Sequence, residues 1–459
     1  MKSALLGSIR QLWTIEKQER AKLFIVSSIF ALVIMAYTIL KEMKDIVFVE
    51  VVGKEYVPAA KIISIFILIP AVLFYSYLVN KVRRHNILCF YSIAYGILGL
   101  VFVHFIGHPE IGVMNTDTSP WRLFGWIFYF FVEGASPFLV GVAWAFSNSI
   151  FSPKEAKNYY AFVVAFSKVG GVLSACFGWF LLSQHVIAPL VVKEQLLQFI
   201  PSIVLLFVPV VVWFLRKKVS ARYMHGYEAV YEYEKEVKQR PEQPGLFSGA
   251  KLLVRNPYVM GIFSIIFFYE VLNAVLSLLR IYYSLGGGLE EFSSRLFLLT
   301  MEYHAVGFLI ALFGTQALLR LFGERRCLLL VPIIIGAVLF MFLFVGTFAA
   351  FNVAFVAMRA TNYGFFYPVR ESLYIPTVKA INFQSKAWID AFGTKLAKGT
   401  GSLFNMIATY TLSVGGFLAA QMLHAGFFAI IIGIWIFVAH LLGKRYTRAI
   451  ETNEVIGAE

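Results

Sequence analysis

The chain has little charge and little cysteine. Only 14% of its 459 residues are Asp, Glu, Lys or Arg, against about 25% in an ordinary soluble domain. That scarcity excludes a solvated globular protein of this size. Three cysteines, Cys89, Cys176 and Cys327, lie far apart inside or at the edges of apolar runs. None has metal-ligand or redox spacing, so they read as small buried apolar residues. The N-terminus lacks the short apolar core and small-residue cleavage site of a signal peptide. Lys2, Arg10, Lys17, Arg20 and Lys22 instead precede a full-length apolar run, which is expected to be retained. An Arg- and Ser-rich transit segment is also missing, which favours a bacterial inner membrane over an organelle. No nucleophile–base pair, metal-ligand cluster or phosphate loop is evident. Gly286-Gly-Gly288 lacks the strand–helix context of such a loop. The sequence implies no enzyme, no cofactor and no metal.

What is there is apolar: 59% of the residues, in runs of roughly 20, the length a helix needs to cross about 30 Å of hydrocarbon. Backbone groups in lipid must bond within their own segment, so these runs are helices. The pattern predicts an all-α polytopic membrane protein with about twelve transmembrane helices. They lie near 22–42, 59–80, 86–107, 122–149, 159–183, 196–216, 257–283, 296–320, 327–348, 350–375, 388–413 and 416–443. The formal charge of +14 has no basic soluble domain to hold it, so nucleic acid is not an expected partner. Basic cytoplasmic loops explain it.

The loops divide accordingly. One series holds Lys81/Arg83/Arg84, Lys154/Lys157, the long middle segment, Arg320/Arg325/Arg326, Lys379/Lys386 and the tail Lys444/Arg445/Arg448. The alternate series has Lys193 as its only clear cation, with Arg295 at a helix start and Lys54 and Lys61 in its first member. Both termini are therefore expected in the cytoplasm. The expected organisation is a six-helix bundle over 1–216, a charged cytoplasmic linker over 217–256 and a second bundle over 257–459.

Two echoes relate the halves. Lys81-Val-Arg83-Arg84 occupies the place in the first half that Phe322-Gly-Glu-Arg325-Arg326 occupies in the second. Ser167-Lys168-Val-Gly170-Gly171 opens the fifth helix much as Ala397-Lys398-Gly399-Thr-Gly401 opens the eleventh. Two parallel six-helix repeats are the major-facilitator arrangement, with substrate bound near mid-membrane.

Ionisable groups in membrane helices are costly, so they line cavities or pair. Cations there are Lys41, Lys44, Lys168, Arg280, Arg359, Arg370, Lys395 and Lys398. Acids are Glu133, Glu270, Glu302 and Asp390. The cationic surplus suits an anion, and several Lys and Arg suit a polyphosphate. Bland readings compete: Lys41, Lys44 and Arg370 snorkel to the interface, or Arg359 forms a structural bridge. Lys168 and Lys398 stand out because they match between repeats and sit beside small residues that permit close helix approach. Tyr363, Phe365, Phe366 and Tyr367 are candidates to receive a base. Glu302 and His304, two apart on a helix, point about 200° apart and form no local dyad. Glu302 is expected to pair with a cation.

Three stretches resemble the nucleotide transporter family of plastids and intracellular bacteria, the ATP/ADP translocases. Tyr37-Thr-Ile-Leu40-Lys41-Glu42-Met-Lys44-Asp45 is similar to that family's Tyr-Thr-Ile-Leu-Arg-Asp-x-Lys-Asp. Trp144-Ala-Phe-Ser-Asn148, with Glu155-Ala-Lys157 and Tyr160, resembles its Trp-Gly-Phe-Ala-Asn…Glu-Ala-Lys…Tyr. Asn362-Tyr363 through Arg370-Glu371 to Tyr374-Ile375-Pro376 is followed by Lys386-Ala-Trp-Ile389-Asp390 and Leu396-Ala-Lys398-Gly-Thr-Gly401. These look like its Lys-Tyr-Ser-Leu-Phe-Asp-Pro-x-Lys-Glu-x-x-Tyr-Ile-Pro and the segment after it. The resemblance implies exchange of ATP for ADP, or uptake of related nucleotides; no obligatory protein partner is evident in the sequence. It carries a helix-one Lys onto Lys44, a helix-four Glu onto Glu133 and a helix-eleven Lys onto Lys398. The family's helix-seven Glu falls near Ser277, with Glu270 about two turns earlier, and Arg280 stands in for a nearby Lys. The Asp before Pro368 is Tyr367 here. The expected substrate site is therefore Lys41, Lys44, Glu133, Lys168, Arg280, Arg359, Tyr363, Arg370, Asp390 and Lys398.

Overall fold

The computed structural model describes residues 16–151, 153–183, 186–220, 223–224, 248–378, 381, 385–389 and 393–457. The linker expected over 217–256 falls mostly outside them, as does Asp390. Long helical rods dominate. They are α1 (Lys17–Val51), α2 (Val57–Lys81), α3 (Arg84–Ile106), α4 (Leu123–Ile150), α5 (Pro153–Leu181) and α6 (Leu190–Lys218). After a short helix, Ser248–Arg255, come α7 (Pro257–Ser284), α8 (289–322), α9 (324–345), α10 (348–372), α11 (394–415) and α12 (417–451). Among the described residues no strand forms, only an isolated bridge between Thr377 and Ile456. Among the described residues eight helical stretches are long and apolar enough to cross a membrane, one of them the 58-residue Thr394–Glu451 that contains both α11 and α12. The chain is an all-α, multi-pass membrane protein.

Two of the divisions between rods are single glycines. Gly323 (φ 70°, ψ 166°) separates α8 from α9, and Gly416 (φ 75°, ψ −176°) separates α11 from α12. A side chain is strained at positive φ, so glycine lets the chain reverse there without a loop.

The rods extend past the expected spans where polar residues find partners. The first helix, expected to end near 42, continues to Val51. Lys41 and Lys44 therefore sit two to three turns inside it, and the snorkelling reading fails for Lys44, which is 7% exposed. The sixth helix begins at Leu190 rather than near 196 because Lys193, 2% exposed, is ion-paired to Glu290 of α8. Hydropathy windows end at such charges; helices do not, once the charge is matched.

Wider, π-type turns interrupt α4 at Ser136–Gly141, α8 at Ile310–Gly314 and α10 at Asn362–Phe366. Such turns are frequent at functional sites. Glu133 ends the regular turn just before the first, and Tyr363 lies within the third.

The described residues form two compact units interleaved in sequence. The first is drawn from Met1–Lys54, Phe66–Glu242 and Gly287–Ala305; the second from Glu55–Ile65, Gln243–Gly286 and Val306–Glu459. In the first, α1 packs against α4, α5 and α6. A Cβ at Gly170 of α5 would stand 2.6 Å from the Ala31 carbonyl oxygen of α1. In the second, a Cβ at Gly401 of α11 would stand 2.6 Å from the Val271 carbonyl oxygen of α7. The glycines that follow Lys168 and Lys398 thus play one role twice, letting a helix meet its neighbour's backbone.

Candidate substrate-binding site

In the first unit the candidate charges gather around α1. Lys44 donates to Glu133 Oε2 at 2.8 Å, lies 3.5 Å from Asp45 Oδ1, and rests over the Tyr129 ring, 4.4 Å from its centroid. The regular helix Leu123–Glu133 presents both Tyr129 and Glu133 to it, four residues and about one turn apart. Only 9% of the Lys44 side chain and 20% of Glu133 is exposed. One turn earlier, Lys41 donates to the Tyr303 hydroxyl at 3.3 Å and lies 3.7 Å from Glu42. The Thr300 hydroxyl in turn donates to Glu42 at 2.8 Å. Lys168, half-buried on α5, feels the charge of Lys41. Lys41 and Lys44 thus lie beside Glu42, Asp45 and Glu133. An entering anion finds this group already matched and must compete with carboxylates for its cations.

The second unit differs. Arg280 is 2% exposed and Arg359 6%. Both guanidinium groups lie over the Phe355 ring, Cζ to centroid 5.5 and 4.8 Å. Arg359 Nη2 donates to Ser277 Oγ at 3.2 Å. Ser277 is where the helix-seven carboxylate of the resembled family falls, so a neutral hydroxyl meets Arg359 at that position. Glu270, the displaced candidate acid, accepts from Asn273 at 3.1 Å. Tyr269, 2% exposed, lies against the Phe366 ring, 6.1 Å between centroids, at the wider turn of α10 that also holds Tyr363. Tyr363 is 40% exposed and Tyr367 45%. Arg370 lies over the Tyr367 ring, 4.4 Å from its centroid. Lys398 is half-buried on α11 and outside these contacts. Of the candidate charges among the described residues, Arg280, Arg359, Arg370, Lys395 and Lys398 stand against Glu270 in this unit.

The structure therefore brings Lys44 and Glu133 together beside Lys41 and Lys168, and Arg280 and Arg359 together over Phe355; Tyr363 and Arg370 lie further along α10. The expected cation partner of Glu302 does not appear: its Oε2 is buried and receives no hydrogen bond among the described residues. Sequence reasoning passed over Tyr129, Tyr303, Thr300 and Phe355, which carry no signal in a chain that is 17% aromatic. Ser277 had one, its place in the resemblance.

The chain is 22% identical over 500 residues to ADP,ATP carrier protein 3 of Rickettsia bellii (strain RML369-C), covering 95% of this chain and 96% of that protein. It is 23% identical over 504 residues to ADP,ATP carrier protein 1 of Rickettsia prowazekii (strain Madrid E), covering 98% of each. Among solved structures it is similar to a D-xylose–proton symporter, with a TM-score of 0.63 and 14% identity, covering 94% of this chain and 98% of that one. It is also similar to a major facilitator superfamily proton:xylose symporter bound to 6-bromo-6-deoxy-D-glucose, with a TM-score of 0.61 and 14% identity, covering 93% and 95%. These likenesses establish the major-facilitator fold. The family model for the TLC ATP/ADP transporter matches residues 2–123, 118–358 and 318–446, nearly the whole length, and the chain belongs to that family.

Proposed function

We infer that this chain is a membrane transporter, not an enzyme, which exchanges nucleotides, ATP for ADP or a related NTP/NDP pair, by alternating access. Membership of the TLC ATP/ADP transporter family carries the inference, and the cationic groups supply its chemistry. Lys44, Lys168, Arg280 and Lys398 bind phosphates, supported by Lys41, Arg359 and Arg370, while Tyr363 offers an accessible ring for a base. Exchange follows from electrostatics. A cavity with surplus positive charge closes poorly when empty, because closure strips water from unmatched cations. A bound polyanion neutralises it and permits reorientation. Glu133 holds Lys44 when the site is empty and yields it to substrate. Asp390 belongs to the same proposed site.

We place the protein in a bacterial inner membrane with both termini in the cytoplasm, on the Lys/Arg asymmetry of its loops. The proposed organisation is two six-helix repeats, 1–216 and 257–459, joined by 217–256, working with no cofactor, no nucleic acid and no obligatory protein partner. The test is uptake of labelled nucleotide by reconstituted protein: Lys398→Gln and Lys168→Gln are each expected to lose most of it. Transport equal to the parent in Lys398→Gln overturns the site. A second reading, proton-coupled net import of a nucleotide or another phosphorylated anion, is favoured by one observation, the buried Glu302 Oε2 without a hydrogen bond. Uptake that collapses when the proton gradient is dissipated selects it.

A further inference from the structure

A cavity of about 310 Å³ lies within the second unit, framed by α7, α9, α11 and α12. It opens beside the glycine reversal between α11 and α12, where Leu412 and Phe417 line it at 38% and 61% exposure. From there it reaches His424 of α12 and Asn405 of α11, respectively about 12 and 16 Å from Gly416 along their helices.

The candidate phosphate-binding arginines face away from it. Leu278 and Tyr282, one turn apart, form part of the α7 wall. Arg280 stands about 200° around the helix from Leu278 and lies over Phe355 of α10. No Asp, Glu, Lys or Arg is among the described residues that line the cavity, so a phosphate entering it would meet no counter-charge. The volume has room for about ten waters, but walls of Leu, Phe and Tyr give them few partners. Such a lining suits an apolar molecule fixed by a few polar atoms.

Those polar atoms are acceptors. His424 is 8% exposed, its ring held edge-on by Phe404 and Phe428 at 5.2 and 5.9 Å between centroids. Its Nδ1 lies 2.7 Å from the Ala420 carbonyl, which can only accept, so Nδ1 carries the proton. Nε2 of the neutral ring is then an acceptor, and no donor reaches it among the described residues. Asn405, 0% exposed, donates Nδ2 to the Ala274 carbonyl at 3.0 Å, and its Oδ1 receives no hydrogen bond among the described residues. Nearby donors are drawn to the backbone: the Thr409 hydroxyl to the Asn405 carbonyl at 2.9 Å, and the Gln421 amide to the Leu343 carbonyl.

We propose that this cavity binds a neutral membrane amphiphile, an apolar body bearing a hydroxyl. It enters from the lipid past Leu412 and Phe417 and donates its hydroxyl to His424 Nε2. The site is separate from the nucleotide groups and does not rest on the function proposed above.

The probe is 1-dodecanol carrying a mid-chain diazirine, photolysed with the full chain in phosphatidylcholine nanodiscs and mapped by peptide mass spectrometry. Saturable labelling of the α11 and α12 peptides that line the cavity is expected. Unlabelled 1-dodecanol should compete, its methyl ether about tenfold more weakly, the factor that 1.4 kcal/mol for one lost hydrogen bond gives. ATP should not compete. His424→Phe keeps a ring between Phe404 and Phe428 but has no Nε2, and is expected to treat alcohol and ether alike. Leu412→Trp narrows the entrance at a half-exposed position and should lose most of the labelling. Leu403→Trp, 55% exposed on α11 and outside the lining, should label like the parent. Unsaturable labelling spread over lipid-facing peptides overturns the proposal, as does equal competition by the ether in the parent. Displacement by ATP also overturns it, because the cavity would then belong to the substrate path. Should His424→Phe fail to fold, undiminished labelling of Leu412→Trp still refutes the site.

Discussion

Replacing Glu133 with Gln keeps the shape of the side chain beside Lys44 and removes its charge. Lys44 Nζ is then left with Asp45 at 3.5 Å and the Tyr129 ring at 4.4 Å. At 2.8 Å and an effective dielectric of about 20, the Lys44–Glu133 attraction is worth about 6 kcal/mol before desolvation. Removing one partner of a buried pair costs a net ~3–5 kcal/mol. With Asp45 and Tyr129 still in place, about half of that is expected here. A phosphate reaching Lys44 in the parent must displace Glu133, whereas in Glu133→Gln it does not. Nucleotide binding should therefore tighten by about 1–2 kcal/mol, or roughly 5–30-fold in Kd. Release suffers equally, because an interaction made in the bound state and lost at the barrier to release deepens the bound well without lowering that barrier. Equilibrium binding of labelled ATP, with kcat and KM for exchange in vesicles, separates the effects. Tighter binding with slower exchange is the expected outcome. Weaker binding in folded Glu133→Gln protein refutes the reasoning, because Glu133 would then orient Lys44 toward phosphate rather than compete for it.

Three further outcomes follow from the geometry. Gly401→Val presses a side chain into the Val271 carbonyl and is expected to cost about 1–3 kcal/mol. Gly426→Ala, with nothing within 4 Å, is expected to stay within about 0.5 kcal/mol, and melting in detergent compares the two. Ser277→Glu places a carboxylate against Arg359 and withdraws one positive charge from the second unit, so nucleotide affinity should fall by about 5–30-fold in a binding isotherm. At the C-terminus, Arg445 donates to both Glu454 oxygens and holds that carboxyl below its ordinary value of 4.5. A lowered value stabilises the folded form above the unfolded value and is lost as pH falls through the folded one. The tail contact, Ile456 N–H to the Pro376 carbonyl at 2.8 Å, should therefore loosen only in acid. Glu454→Gln should abolish that dependence, as read by hydrogen exchange at Ile456 and Val378.

Most of the fold was legible because a bilayer imposes length. Apolar runs of about 20 residues marked the rods, and the lysine–glycine echo around Lys168 and Lys398 located equivalent close approaches on α5 and α11. The helix ends were not legible. Lys193 looks like a loop charge until Glu290, 97 residues away, is brought to it. The same distance problem hid the site's wiring. Lys44 and Glu133 were both named, yet their 2.8 Å bond joins residues 89 apart and no periodicity reports it. The wider turns in α4, α8 and α10 break the 3.6-residue repeat without an apolar gap, so the pattern passes over them. Glu302 shows the opposite failure, since an intramembrane acid is expected to be paired and its Oε2 is not hydrogen-bonded among the described residues.

The central claim is exchange driven by charge compensation, and counterflow tests it most directly. Purified protein is reconstituted into vesicles loaded with ADP or left empty, and entry of labelled ATP is followed in both. The account predicts rapid uptake into ADP-loaded vesicles and little into empty ones, because the unneutralised cationic site returns poorly. Equal uptake into both, by protein shown to be folded, contradicts it and leaves net import as the function.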